Sequence, residues 1–272
     1  MNHPAVSPLV LPAPARGPLL ARRLARLRPV LLPLAAGVLL WLAWTAAVGR
    51  FGVSPVILPA PGAIAGAFHT SFPLLMEHLR QTAGEALVGL ALSTACGLLI
   101  AVAISLSEAI YRAVYPVLIA IQVIPKVALA PLFVIWIGVG IETRMAFAAF
   151  LAFFPIVVSA ATGFVRADEN LLRLCRAYSA SRWQVFVSVR LPGAVPHIFS
   201  GLKVGATMTM IGLIVGEFVT AQSGLGYLTM FGAATLETAF MMAAISLICA
   251  IGATLYLVMT LCEKLVRRLM GI

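Results

Sequence analysis

Apolar residues along this chain gather in long unbroken runs, with no two-residue alternation over strand-length stretches. The run over residues 30–48 is long enough to cross a bilayer, which takes about 20 residues of helix. Trp41 and Trp44 lie toward its far end, where aromatic rings favour the membrane–water interface. The pattern predicts further spans over about 82–106, 113–137, 144–163, 198–220 and 240–261, the third interrupted by Pro125. Between spans one and two, residues 50–80 mix proline, glycine and polar side chains. They read as a loop with a short amphipathic helix. Residues 221–239 read as a glycine-bearing loop. The expected fold is therefore all-α, a polytopic membrane protein with six transmembrane helices.

The polar stretch 164–197 carries its own helix signals. Asp168-Glu169-Asn170 supplies an N-cap and acids in a first turn, and Leu171, Leu174, Cys175 and Tyr178 then recur at helical spacing. Ser181-x-x-Gln184 is a capping box, and Trp183, Phe186 and Val187 give the next helix an apolar face. Pro192 and Pro196 are expected to close it. Two short amphipathic helices joined at Ser179-Ala180 are predicted. Physics alone leaves two uses open: a helix pair lying on lipid headgroups, or a knob for a soluble partner.

Composition agrees with the runs. Of 272 residues 62% are hydrophobic and 10% charged, and the mean hydropathy is +1.05. Soluble domains are about a quarter charged. The net charge is +10, but it is scattered thinly between apolar runs, which argues against a nucleic-acid partner and for a lipid bilayer. Sorted by segment, fifteen of the 19 Lys and Arg fall in the N-terminal tail, the 107–112 loop, the 164–203 stretch and the C-terminus. Arg50, Arg80 and Arg144 fall on the opposite side, and Lys126 falls inside a span. Positive charge stays inside, so both termini and the 164–197 loop are expected in the cytoplasm of a multi-pass protein. Residues 1–28, rich in proline and arginine, are expected as a cytoplasmic tail, and 29–272 as the transmembrane domain.

Candidate chemistry is sparse. Cys96, Cys175, Cys249 and Cys262 form no C-x-x-C pair and are expected as small buried hydrophobes. No H-E-x-x-H and no P-loop lysine occurs, so neither a metal site nor catalytic residues are expected, and ATP, if used, is bound by another chain.

At this point the residues carry a family resemblance. Ala177-Tyr178-Ser179-Ala180-Ser181-Arg182-Trp183-Gln184, followed by Val189-Arg190-Leu191-Pro192 and Pro196, resembles the EAA loop of ABC-transporter permeases. Gly201-Leu202-Lys203, Gly216-Glu217-Phe218 and Gly224-Leu225-Gly226-Tyr227 resemble the branch importing nitrate, sulfonates, taurine and related compounds. So do Leu58-Pro59-Ala60-Pro61, Pro125-Lys126-Val127-Ala128-Leu129-Ala130-Pro131-Leu132, Trp136-Ile137-Gly138 and Phe154-Pro155. The resemblance covers about residues 55–262. It implies the MetI-like fold of type I importer permeases and a non-enzymatic subunit moving a small solute, an anion of that kind or a related organic compound or vitamin precursor, across the bacterial inner membrane. It further implies two ABC ATPase subunits holding ATP and Mg, an extracytoplasmic solute-binding protein, and a second permease copy. Arg176, Ala177, Tyr178, Ser179, Ala180, Ser181, Arg182, Trp183, Leu191 and Pro192 would form the coupling helix that docks on the ATPase. The motif departs at its name residues, which fall on Arg173, Leu174 and Cys175, and at its glycine, which falls on Ser179. A secondary transporter or channel is the competing class; it calls for intramembrane ion sites.

Charges inside spans are functional candidates. Lys126 beside Pro125 either lines a path for an anion or is structural, paired with Glu85 or Glu217 or hydrated in a cleft. Glu217 is either interfacial and solvated, or a gate or inter-helix hydrogen bond. Glu85 is expected to be solvated and His197 to lie at the surface. Gly201 with Gly205, and Gly212 with Gly216, are spaced for close helix packing.

Overall fold

The computed structural model describes residues 19–271, and every regular element among them is helical. The chain divides at Ser54/Pro55 into two units. The first holds one helix, α1 (Leu19–Phe51), whose side chains from Leu31 on are mostly exposed. The helix begins inside the segment expected as a tail; residues 1–18 of that tail lie outside the described residues.

The second unit is built on α3 (Phe72–Ser105), α6 (Ile141–Val165) and α9 (Leu191–Thr220). Around them lie α2 (Pro61–Thr70), α4 (Glu108–Val123), α5 (Ala130–Ile137), α7 (Glu169–Ala177), α8 (Arg182–Val185), α10 (Leu225–Ala234) and α11 (Thr238–Met270). Among the described residues five helices, α1, α3, α6, α8–α9 and α11, are long and apolar enough to cross a membrane. The pair α4 and residues 126–137 meets the same criterion jointly but is bent by 83°. Counted as one span, the pair makes six.

The bundle has two ends. At one, α6 leads into α7; at the other, α9 leads into α10. The centre is the α6–α9 pair, and glycines set its spacing. A Cβ on Gly212 would lie 2.8 Å from Ala148 Cα, and one on Gly201 would lie 2.7 Å from Ser159 Cβ and 3.1 Å from the Pro155 carbonyl. The predicted small-residue pairs thus let the two backbones approach. Phe154, Ile156, Val157, Ala160 and Phe164 fill the core toward the α7 end, with Ile198, Phe199 and Leu202 opposite.

Several sequence expectations change. The second span starts ten residues early, at Phe72, because Pro73 sits harmlessly in the first turn and the polar residues Glu77, His78, Arg80 and Gln81 are tolerated in a helix. Pro192 and Pro196 do not end a helix: α8 continues through a π-helical turn, Phe186–Arg190, into α9. Leu191 N–H reaches back five residues to the Phe186 carbonyl, so the ladder has already shifted where Pro192 lacks its donor. The 221–239 loop contains α10, ten residues and roughly 15 Å long, half the depth of a bilayer. The C-terminal basic residues Lys264, Arg267 and Arg268 belong to α11. Cys96, Cys249 and Cys262 are exposed and Cys175 half-buried, against the expectation of burial. On helices whose outer face meets lipid, an apolar thiol needs no protein cover.

Candidate functional site

Three places gather the chemistry. The first is the α7–α8 corner. Asp168 Oδ1 accepts from Asn170 N–H at 2.8 Å and starts α7. The helix stops by two reversed bonds: Ser179 N–H donates to the Arg176 carbonyl at 3.0 Å and Ala180 N–H to the Cys175 carbonyl at 2.9 Å. Between them Ser179 takes the left-handed conformation, φ 52°. This is the Schellman stop that glycine ordinarily supplies, made here with serine. The predicted capping box then restarts the chain: Ser181 N–H donates to Gln184 Oε1 at 2.7 Å, and Gln184 N–H to Ser181 Oγ at 3.2 Å.

The corner is fastened from behind. Phe186 lies between Phe164 of α6 (5.4 Å) and Trp183 (5.8 Å, stacked). Arg190 donates to the Ser105 carbonyl of α3 at 3.1 Å. Among the described residues its outer face is left open: Tyr178 is 80% and Trp183 71% exposed, with Leu171 and Leu174 also exposed. Arg176, Ala180 and Arg182 line one cleft with Phe186 and Arg190. Pro192 lines a separate one with Arg166 and Arg267.

The second place is the bend after α4. Pro125 breaks the helix, and Lys126 opens a 3₁₀ turn. The Lys126 ammonium donates to the Gln122 carbonyl at 3.0 Å, a group the break leaves free, and sits 5.3 Å from the Phe154 ring centre. Neither Glu85 nor Glu217 pairs with it; both carboxylates bond elsewhere. Lys126 borders a largely apolar cleft of about 450 Å³ with Gln122, Leu151, Pro155, Val204 and Met208.

The third place, at the α10 end, includes the candidate Glu217 but also Arg144 and Glu85, whose pairing the sequence does not reveal. Arg144 of α6 is fully buried and pairs with Glu85 of α3 at 3.0 Å, so Glu85 is not solvated. Arg144 also donates to the Ser223 carbonyl at 2.8 Å. Gln81 bridges Glu85 (3.2 Å) and Ser223 Oγ (2.7 Å). Glu217 of α9 is fully buried and accepts from Thr82 (2.7 Å) and Gly226 N–H (2.5 Å). It is an inter-helix hydrogen-bonding group, not an interfacial one. Lys126 lines the cleft at the bend, whereas Glu217 is fully buried among Thr82 and Gly226 at the α10 end. The signal for Arg144 was present: Phe147, Ala148, Leu151 and Ala152 follow it at three, four, seven and eight residues on the buried face of α6.

Comparison with known proteins agrees with this architecture. A family model described as binding-protein-dependent transport system inner membrane component matches residues 93–271. A probable ABC transporter permease protein of Haemophilus influenzae is 33% identical over 231 residues, 85% of this chain and 92% of its own length. The formylaminopyrimidine transport permease of Halalkalibacterium halodurans is 35% identical over 191 residues, 70% of this chain and 76% of its own. The riboflavin transport system permease of Chloroflexus aurantiacus is 32% identical over 233 residues, 85% of this chain and 87% of its own. The chain belongs to the family of binding-protein-dependent transport inner membrane components. It is an all-helical, MetI-like, multi-pass membrane permease, the transmembrane subunit of an ABC importer.

Proposed function

We propose that the α7–α8 corner is the seat of the ATPase subunit and that its movement drives alternating access of the spans to the two sides of a bacterial inner membrane. One observation carries the reading. The corner is capped at both ends of α7 and at the start of α8 and is anchored through Phe186 and Arg190, yet leaves Leu171, Leu174, Tyr178 and Trp183 largely exposed among the described residues. A rigid helix unit with exposed aromatic anchors suits insertion into a groove of another protein. Ala180, at the junction of the two helices, lies where a movement of the ATPase would be felt first. The contact residues are Arg176, Ala177, Tyr178, Ser179, Ala180, Ser181, Arg182 and Trp183, with Leu191 and Pro192 joining the unit to α9.

The α7 end is then cytoplasmic, as are both chain termini. The concentration of Lys and Arg in 164–203 and 264–268 supports this. The α10 end faces the solute-binding protein. A second copy of the chain completes the pathway, and ATP with its Mg stays in the partner subunits. Lys126, held at the bend beside Pro125, borders the pathway. The relatives' names, a formylaminopyrimidine and riboflavin, support a small organic compound over an inorganic ion. Ala180→Glu tests the docking. The expected result is that the reconstituted complex loses uptake while the permease stays folded. Normal ATPase binding and uptake by the variant would overturn the assignment.

A further inference from the structure

The polar cluster at the α10 end does more than join helices. We propose that the turn over 221–224 together with α10 is a hinged cap on the outward side, and that Glu217 and Arg144 are the positioning residues that latch it closed. The proposal rests on the importer reading, because only that reading gives the α10 end an opening to control.

The cap has hinges. Ala221, where α9 ends, sits at φ 48°, Gly224 at φ 101°, and Leu236, between α10 and α11, at φ 58°. Left-handed backbone at alanine and leucine is disfavoured, and such residues gather where a chain must adopt a particular geometry or switch between two. They bracket a ten-residue helix too short to cross the membrane.

Leu225 and Leu228 seat α10 on the apolar core beside Phe240 and Ala243, and the cap also has a latch, a set of polar contacts to its first six residues. Ser223 receives Arg144 and Gln81, Gly224 N–H donates to His78 Nδ1 at 2.8 Å, and Leu225 N–H donates to Thr82 Oγ1 at 2.9 Å. Gly226 N–H meets Glu217. The fit around Glu217 admits no side chain. A Cβ on Gly224 would fall 2.1 Å from Glu217 Oε1, and one on Gly226 would fall 2.7 Å from Oε2. Three elements of the bundle thus each send polar groups to one turn: α3 through His78, Gln81 and Thr82, α6 through Arg144, α9 through Glu217.

Buried ions must be desolvated, and replacing such a pair by apolar packing often costs no stability. Among the described residues no protein group bonds Glu85 Oε2 or Arg144 Nε, both buried. Those spare groups leave the Arg144–Glu85 pair able to take other partners, water included, when the turn lifts away.

The test uses the chain assembled with its ATPase and binding protein in vesicles. Cys96, Cys175, Cys249 and Cys262 are replaced by serine, and Q81C and S223C are introduced on the two sides of the latch. A short bis-methanethiosulfonate bridges the pair, and reductant releases it. The expected result is that cross-linking lowers uptake by roughly tenfold or more and that reduction restores it. Unchanged uptake in chains shown to be cross-linked overturns the cap, and so does failure of the pair to cross-link, because the latched state must be populated. As a second reading, E217A is expected to hydrolyse more ATP per solute delivered, and E217Q, which keeps the hydrogen-bonding shape, to do so less. Equal coupling in E217A and the parent chain also counts against the latch. Q81C and S223C delete the Gln81–Ser223 bond, so the reduced double variant is the reference for uptake, and its ATP-dependent uptake upholds the importer reading whatever the cross-linked chain does.

Discussion

Arg144 and Glu85 form an ion pair at 3.0 Å in which the guanidinium is 1% and the carboxylate 5% exposed. Two charges so placed were each taken out of water, and each depends on the other. Arg144→Met is therefore expected to destabilise the bundle by about 3–5 kcal/mol, since it strands a buried carboxylate. Adding Glu85→Leu to the same chain is expected to recover most of that loss. Unfolding midpoints in detergent decide this: a single variant as stable as the parent would contradict the pairing.

The α6–α9 spacing makes a paired prediction. Gly212→Ala drives a Cβ to 2.8 Å from the Ala148 backbone and is expected to cost about 1–3 kcal/mol. Gly84→Ala, on a helical stretch of α3 with open space around the new methyl, is expected to stabilise by up to about 1 kcal/mol. The same melting experiment reads both, and equal effects of the two would argue against the close approach.

Ser179 holds a glycine's conformation at the end of α7. Ser179→Gly is expected to strengthen the stop by about 1 kcal/mol, and Ser179→Val to weaken it. Hydrogen exchange across residues 169–185 measures it, with slower exchange expected in the glycine variant. Slower exchange in the valine variant would show that the left-handed stop is not what orders the corner.

Lys126→Met keeps the length of the side chain and removes its charge. Uptake is expected to fall by roughly tenfold while assembly with the ATPase is retained, because the charge borders the cleft at the bend. Unchanged uptake would leave Lys126 with the helix-capping role that its bond to Gln122 already describes.

Much of this architecture is legible in the residues. The apolar runs gave the spans, the capping box at Ser181 appeared where the spacing put it, and Pro125 breaks the third span as its chemistry requires. What local pattern hid was tertiary. Pro192 reads as a stop because proline usually is one, and only a π-helical turn upstream lets the helix continue. Glu85 and Arg144 look solvated because each lies near the end of an apolar run, and α3 begins ten residues before that run does. Each is buried by a neighbour more than fifty residues away in sequence, which no helical period reveals. Glu217 reads as a charge near a helix end, but its partners, Thr82 and Gly226, come from two other elements.

The central claim is that this chain moves solute only when an ATPase drives it through the α7–α8 corner. Uptake of a relative's cargo, or of the ligand of its own binding protein, into vesicles holding the permease alone, with the ATPase, and with both partners tests it most directly. The account predicts uptake only in the complete assembly with ATP present. Uptake of the same rate by the permease alone would contradict it.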